Sequence, residues 1–367
     1  MTPSHRPSPA IGEQFVLTDA EIGWVMASFS FSTFATIPVT GVIADIYGRR
    51  TVALFIFGAS GIGALFVGSF EGLLLMRVLQ GAAYAGTTPL SVALIGDLYS
   101  GTEGSTAQGV RASANGAANI VAPIIGGLLA GLMWSFPFLI YGLAFPVMVL
   151  LYVFYSEPID NSTSRLTDPL RVRLVRYLQN IAGDFRNRDL SVLVGAGFVL
   201  FVVRYAVLTY LPLFATRELG TTVFMVGVLL SIRGVVRVVI SPFAGVIVGR
   251  LSRKPTLVWS FFIIGVSTAA MAFAPSVVWL GGLLAVYGGA IAIFNTVLND
   301  TVTNIATADR RAGVVSSMST LKNFGKAVSP VIFGIVLAAT GFTVLFVLAA
   351  VLAVGYVALI SVTYDGT

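Results

Sequence analysis

Cysteine is absent from the 367 residues, histidine occurs once, and charged residues make up only 10%. Lack of cysteine excludes disulfides, thiolate nucleophiles and cysteine-ligated zinc. The single histidine, His5, sits in a polar N-terminal stretch, which leaves no histidine general base or histidine metal cluster. No metal, no cofactor and no enzymatic chemistry are therefore expected. The scarcity of charge has a second consequence. With 56% hydrophobic residues and a mean hydropathy of +0.92, too few polar groups are present to coat a water-soluble globule of this size. Lipid must be the solvent. The first 21 residues lack an apolar run of the length a secretory signal needs, so they read as neither a signal peptide nor a span.

What the chain does have is apolar runs. Crossing a hydrocarbon core takes about 20 mostly apolar residues in a helix, which satisfies its own backbone. Eleven stretches qualify: 22–43, 51–69, 73–94, 112–134, 136–155, 190–214, 223–248, 256–273, 277–298, 312–339 and 342–363. Lys and Arg divide unevenly between alternate sides, 14 on one against Arg6 and Arg217 on the other. Positive loops stay in the cytoplasm, so the richer side is expected there, with the central loop and the C-terminus. The net charge of +6 is thus topogenic, and nucleic acid is not an expected partner.

The longest loop, 157–189, separates five spans from six. Within it Leu170, Leu174, Leu178, Ile181 and Phe185 recur at helical spacing against Arg171, Arg173, Arg176, Arg186 and Arg188. This pattern predicts an amphipathic helix on the cytoplasmic lipid surface.

The two halves repeat each other. GVIADIYGRRTVAL from Gly41 corresponds to GVIVGRLSRKPTLV from Gly245, 204 residues later. Each follows a proline by three residues, and each carries paired basic residues, Arg49 with Arg50 and Arg253 with Lys254. A second match joins NIVAPIIGG (Pro123, Gly127) to KAVSPVIFG (Pro330, Gly334) at a spacing of 207. Parallel repeats of this kind are a transporter architecture. The sixth span has no counterpart in the first half, so a twelfth helix is expected ahead of Met1, and residues 1–21 read as the outer loop that follows it.

These residues resemble the major facilitator superfamily across nearly the whole chain. Gly41, Asp45, Gly48, Arg49 and Arg50 are similar to the family's loop motif between its second and third helices, and Asp97 matches that motif's acidic partner. The resemblance implies a cluster that locks the two halves in one state and releases in the other. In the third span Arg77, Gln80 and Gly81 resemble a family motif tied to proton coupling. In the fourth, Ala118, Ala122, Pro123, Gly126 and Gly127 are similar to the glycine-proline motif of drug:proton antiporters, with alanine at two glycine positions. Small residues at this spacing also serve helix packing in lipid.

Six basic residues fall inside spans, Arg77, Arg204, Arg233, Arg237, Lys322 and Lys326, and no acidic residue accompanies them. A basic group near the bilayer centre costs roughly 3 kcal/mol, so such groups should face a cavity or ligand. Arg233 with Arg237, and Lys322 with Lys326, are one turn apart. An anion site with Arg204, Arg233 and Arg237 as leading ligands is expected. Against this, the two lysines lie near enough the cytoplasmic end to snorkel. Tyr84, Asn115, Asn119, Asn295, Asn299 and Asn323 are polar candidates for the same cavity or for helix–helix bonding.

The expectation is an all-α membrane protein with the major facilitator fold: an outer-loop remnant (1–21), an N-terminal bundle (22–156), a cytoplasmic linker (157–189) and a C-terminal bundle (190–367). A monomer in the cytoplasmic membrane should move a small organic solute by alternating access. Its partners are the bilayer, that solute and protons. By resemblance, proton-driven efflux leads. An organic-anion or sugar uptake carrier is the alternative, and a truncated non-transporting protein or a sensor is the third reading.

Overall fold

The computed structural model describes residues 18–46, 51–154, 188–305 and 311–364. The linker helix expected between 170 and 188 falls largely outside them. Among the described residues the regular structure is helical throughout: α1 (Asp19–Ile46), α2 (Thr51–Gly63), α3 (Phe70–Leu98), α4 (Gly101–Leu132), α5 (Ala144–Phe154), α6 (Arg188–Arg217), α7 (Val223–Ile240), α8 (Ala244–Leu251), α9 (Arg253–Met271), α10 (Val277–Ile305), α11 (Arg311–Thr340) and α12 (Phe342–Thr363).

All eleven expected spans coincide with helix, because in hydrocarbon an unpaired backbone amide has no water to turn to. Eight spans among the described residues are long and apolar enough to cross a membrane by length and composition.

Several helix starts are written locally. Thr18 caps α1: its hydroxyl accepts from the Glu21 amide at 3.4 Å, while the Glu21 carboxylate accepts from the Thr18 N–H and hydroxyl, each at 2.7 Å. That reciprocal pattern is a capping box. Ser69 and Thr222 cap α3 and α7 through their hydroxyls.

Three spans differ from the sequence expectation. Helix α4 begins at Gly101, ahead of the expected 112, so Arg111 lies inside it and donates to Gln108 at 2.8 Å. The fifth span opens with a 3-10 segment, Phe136–Leu143. The seventh is interrupted by the 3-10 turn Ser241–Phe243. Pro242 is the cause, since it has no N–H to continue the ladder.

Contacts group the described chain into two units. One takes in the described parts of Met1–Ala27, Asn115–Pro137 and Gly183–Thr367; the other those of Ser28–Ala114 and Phe138–Ala182. In the first unit α6 is the most enclosed of the eight spans, 61% of its apolar window being buried. Three hydroxyls tie neighbours to it or to its partners. Tyr210 donates to the Pro330 carbonyl of α11, Ser329 to the Val202 carbonyl at 2.6 Å, and Tyr356 of α12 to the Val192 carbonyl at 3.0 Å. Around them pack Leu200, Val203, Leu211, Phe261, Phe294, Phe333 and Phe346, all fully buried.

The same unit holds the end of α4 against α7. A Cβ at Gly227 would stand 2.3 Å from the Pro123 carbonyl oxygen, and one at Gly127 2.9 Å from that of Val223. Only glycine at both positions permits this approach. Ser231 secures it by donating to the Ile120 carbonyl at 2.6 Å.

In the second unit Tyr84 of α3 lies between Phe29 of α1 and Phe57 of α2, at ring separations of 5.4 and 6.0 Å. Thr33 donates to the Gly81 carbonyl at 3.0 Å.

Candidate substrate site

Helix α7 carries Arg233 and Arg237 one turn apart, and its interruption at Ser241 leaves Arg237 in its last turn. Arg204 of α6, Asn119 of α4, and Gly288 with Ile291 of α10 join these two arginines and Gly234 around one hollow. No carboxylate is among the described lining residues. Gly288 makes the closure possible, because a Cβ there would sit 3.0 Å from both the Cγ and the carbonyl oxygen of Arg233. Arg204 and Arg237 are near enough to repel the Arg233 guanidinium.

The polar atoms of this cluster are not spent on one another. Arg204 Nε, Arg233 Nη1 and the buried Tyr287 hydroxyl have no hydrogen-bond partner among the described residues. An unsatisfied buried donor costs about 1–3 kcal/mol, more when charged, so the arrangement favours a ligand that accepts from several donors at once. A carboxylate, sulfonate or phosphate does so with charge-assisted bonds. Beside the hollow, and sharing Asn119 and Arg233 with it, lies an open pocket of about 240 Å³ lined also by Asn115, Ala118, Ala122 and Pro123.

Lys322 of α11 behaves differently from a surface snorkeller. Lys322 is only 8% exposed and donates to Oδ1 of Asn299 at 2.9 Å and of Asn295 at 3.4 Å, both on α10. Its ammonium stands 5.8 Å from the Phe201 ring centre, and Arg204 lies over the same ring at 5.4 Å. Lys326 lies over the Tyr205 ring, also at 5.4 Å. Burial in place of snorkelling follows from neutral acceptors and ring faces that receive the ammonium inside the bundle.

Other expected residues are placed elsewhere. In the second unit Arg77 donates to Gln80 Oε1 at 2.9 Å and lies 5.1 Å from the Phe138 ring centre. Asn323 is turned back on its own helix, donating to the Ser319 carbonyl at 2.9 Å. Asn119, at the hollow, donates to the carbonyl of Asn115, which lines the adjoining pocket, at 2.6 Å.

Of the loop motif, Gly41 and Asp45 lie on α1 and Asp97 near the end of α3, while Gly48, Arg49 and Arg50 fall outside the described residues. The second copy is visible. Gly245 belongs to α8, and Arg253, followed by Lys254 at the start of α9, pairs with Asp300 of α10 at 3.1 Å. Of the packing motif, Gly127 is buried against α7, whereas nothing lies within 4 Å of a Cβ built on Gly126. In its second copy Gly334 is buried and Pro330 receives the Tyr210 hydroxyl.

Sequence reasoning missed Phe201, Tyr205, Tyr287, Gly288 and Asp300. Only Asp300 carried a signal: it follows Asp97 by 203 residues, close to the repeat spacing.

The sequence pattern of the Major Facilitator Superfamily matches residues 7–216 and again 193–365. Among curated relatives, the bacillibactin exporter of Bacillus subtilis (strain 168) is 29% identical over 140 residues, 35% of each chain. A multidrug transporter of the same organism is 26% identical over 214 residues, 55% of this chain and 36% of its own. The chain thus spans about a third of the length of these two relatives. An uncharacterised transporter from Methanocaldococcus jannaschii is 24% identical over 330 residues, covering 86% of this chain and 82% of that one.

Among solved structures, an inward-facing, occupied bacterial homologue of the human lysosomal transporter Spinster has a TM-score of 0.80 at 17% identity, with 97% of this chain and 91% of that one covered. The nucleoside transporter NupG gives 0.78 at 17%, covering 98% and 95%. These likenesses concern the fold. Together with helices throughout the described residues, a loop motif repeated in the sequence and membrane-length apolar spans, the family match makes this chain a member of the major facilitator superfamily, a multi-pass membrane protein.

Proposed function

We propose that the protein carries a small organic anion across the cytoplasmic membrane by alternating access. One observation carries this reading: Arg204, Arg233 and Arg237 line a single hollow with no carboxylate among its described lining residues. Placing three like charges together is costly unless an anion is held between them in part of the cycle. Asn119 supplies a further polar contact, and an open pocket lined by small residues adjoins the hollow.

Outward movement coupled to protons is the direction we propose. Its support is the exporter and the multidrug transporter among the relatives, together with the Arg77–Gln80 pair that resembles a coupling motif. We also propose that the central loop and C-terminus lie on the cytoplasmic side, on the strength of the Lys and Arg distribution.

The test is flux in proteoliposomes loaded with organic anions, with and without a proton gradient. Truncating one cation of such a site costs 2–5 kcal/mol in comparable charge pairs, so Arg233→Ala and Arg237→Ala should each reduce anion flux by about thirtyfold or more. Undiminished anion flux in both variants would remove the proposal.

A further inference from the structure

Phe201, Arg204 and Tyr205 lie on one face of α6, three and four residues apart. The residues between and beyond them, Val202, Val203, Ala206 and Val207, are buried at 7%, 0%, 0% and 1% exposure. Phe201 and Tyr205 themselves stay partly open. Their rings stack on each other, with centres 6.1 Å apart and planes inclined by 26°. Three cations attend them: Arg204 and Lys322 at Phe201, Lys326 at Tyr205. Hydrocarbon would not tolerate such a face, so these rings belong to the polar interior rather than to a lipid-facing surface.

Apolar rings left partly open among cations need a reason. Asn295 and Asn299, both neutral acceptors, hold Lys322 in place without cancelling its charge. The ring faces do the same for Arg204. A second stacked pair, Phe198 with Phe324 at 6.0 Å and 21°, extends the aromatic row from α6 to α11, and Phe324 is 40% exposed.

We infer that Phe201 and Tyr205 form a stacking platform for the substrate, and hence that the solute is an aryl anion, a planar aromatic group bearing an acid substituent. The inference rests on reading the arginine hollow as the anion site and adds the chemistry of the rest of the solute. An aryl group stacked on this pair lies within a helical turn of Arg204, which also lines the hollow, so one short molecule can use both features. Stacking in an offset or tilted arrangement adds selectivity beyond area alone.

The experiment compares two probes of equal charge and similar size, benzenesulfonate and cyclohexanesulfonate, both fully ionised and so slow to leak across the bilayer. Flux is measured in proteoliposomes for the wild type, Phe201→Leu, Tyr205→Leu and the conservative Phe201→Tyr. In the wild type the KM for benzenesulfonate should be about five- to tenfold lower than for cyclohexanesulfonate. Each leucine variant should bring that ratio toward one by raising the KM for benzenesulfonate more than that for cyclohexanesulfonate, and Phe201→Tyr should keep the preference.

Equal KM for the two probes in the wild type, with both carried, would overturn the aryl inference and leave the anion reading standing. An aryl preference that survives in both leucine variants would overturn the platform. Failure to carry either probe, or any carboxylate, would take away the anion reading and this inference with it. Tyr205→Leu stands as the second variant should Phe201→Leu fail to remain monodisperse in detergent.

Discussion

Lys322 of α11 reaches across to α10 and donates to Oδ1 of Asn299 at 2.9 Å, with Asn295 at 3.4 Å as a second acceptor. A buried ammonium held only by neutral oxygens depends on each of them. Hydrogen bonds to a charged group contribute about 1.5–3 kcal/mol, and removal of one partner strands the other. Asn299→Leu should therefore lower the thermal stability of the purified protein by that order, and Lys322→Met combined with Asn299→Leu should recover most of it. A double variant no more stable than Asn299→Leu alone would show that the pair is not coupled.

Arg253 and Asp300 form an ion pair at 3.1 Å in the second copy of the loop motif, with side chains 39% and 55% exposed. Solvent screening holds such a pair to about 1 kcal/mol or less. Asp300→Asn should therefore change the melting temperature little. If the motif governs conformational exchange in this half, the same variant should change the transport rate several-fold, and equal labelling of a cytoplasmic cysteine reporter in both proteins would argue against that role.

Ser252 has φ +67° and ψ 168°, the only non-glycine residue with positive φ among the described residues. That region is almost confined to glycine and costs a side-chain-bearing residue of order 1–3 kcal/mol. The repeat supplies the comparison, since Ser252 stands 204 residues after Gly48. Ser252→Gly should raise the melting temperature and Ser252→Val should lower it. A drop with glycine would mean that the serine makes a compensating contact.

At the start of α1 the Glu21 carboxyl is held below its ordinary value of 4.5 by hydrogen bonds from the Thr18 amide and hydroxyl. A lowered value in the folded state means that the charged form is the one stabilised. The contribution is therefore complete above pH 4.5 and is lost as pH falls through the folded-state value. Hydrogen exchange of the first-turn amides of α1 should accelerate on acidification after correction for intrinsic rates, and Glu21→Gln should flatten that dependence. An unchanged pH profile in Glu21→Gln would assign the protection to other groups.

The spans were legible because hydrocarbon imposes a length and a composition that no tertiary contact has to supply. The cap at Thr18, the interruption at Pro242 and the repeat linking Gly48 to Ser252 and Asp97 to Asp300 could likewise be read locally or by comparing one half with the other. That basic residues inside the spans needed a polar surrounding also followed from their desolvation cost.

Which surroundings they received did not follow. Helical spacing put Arg233 and Arg237 on one face, but only the approach of α10 at Gly288 brought Arg204 and Asn119 to the same hollow. Lys322 had an equally good route to the cytoplasmic surface; acceptors on a different helix, Asn295 and Asn299, drew it inward. Phe201 and Tyr205 are ordinary span residues in the sequence and acquire meaning from the cations that settle on their faces. By itself the sequence determined the solvent, the helices and the repeat, because these depend on transfer energies and local backbone chemistry. Tertiary structure alone decided which charges share a cavity, because that depends on which helix faces meet.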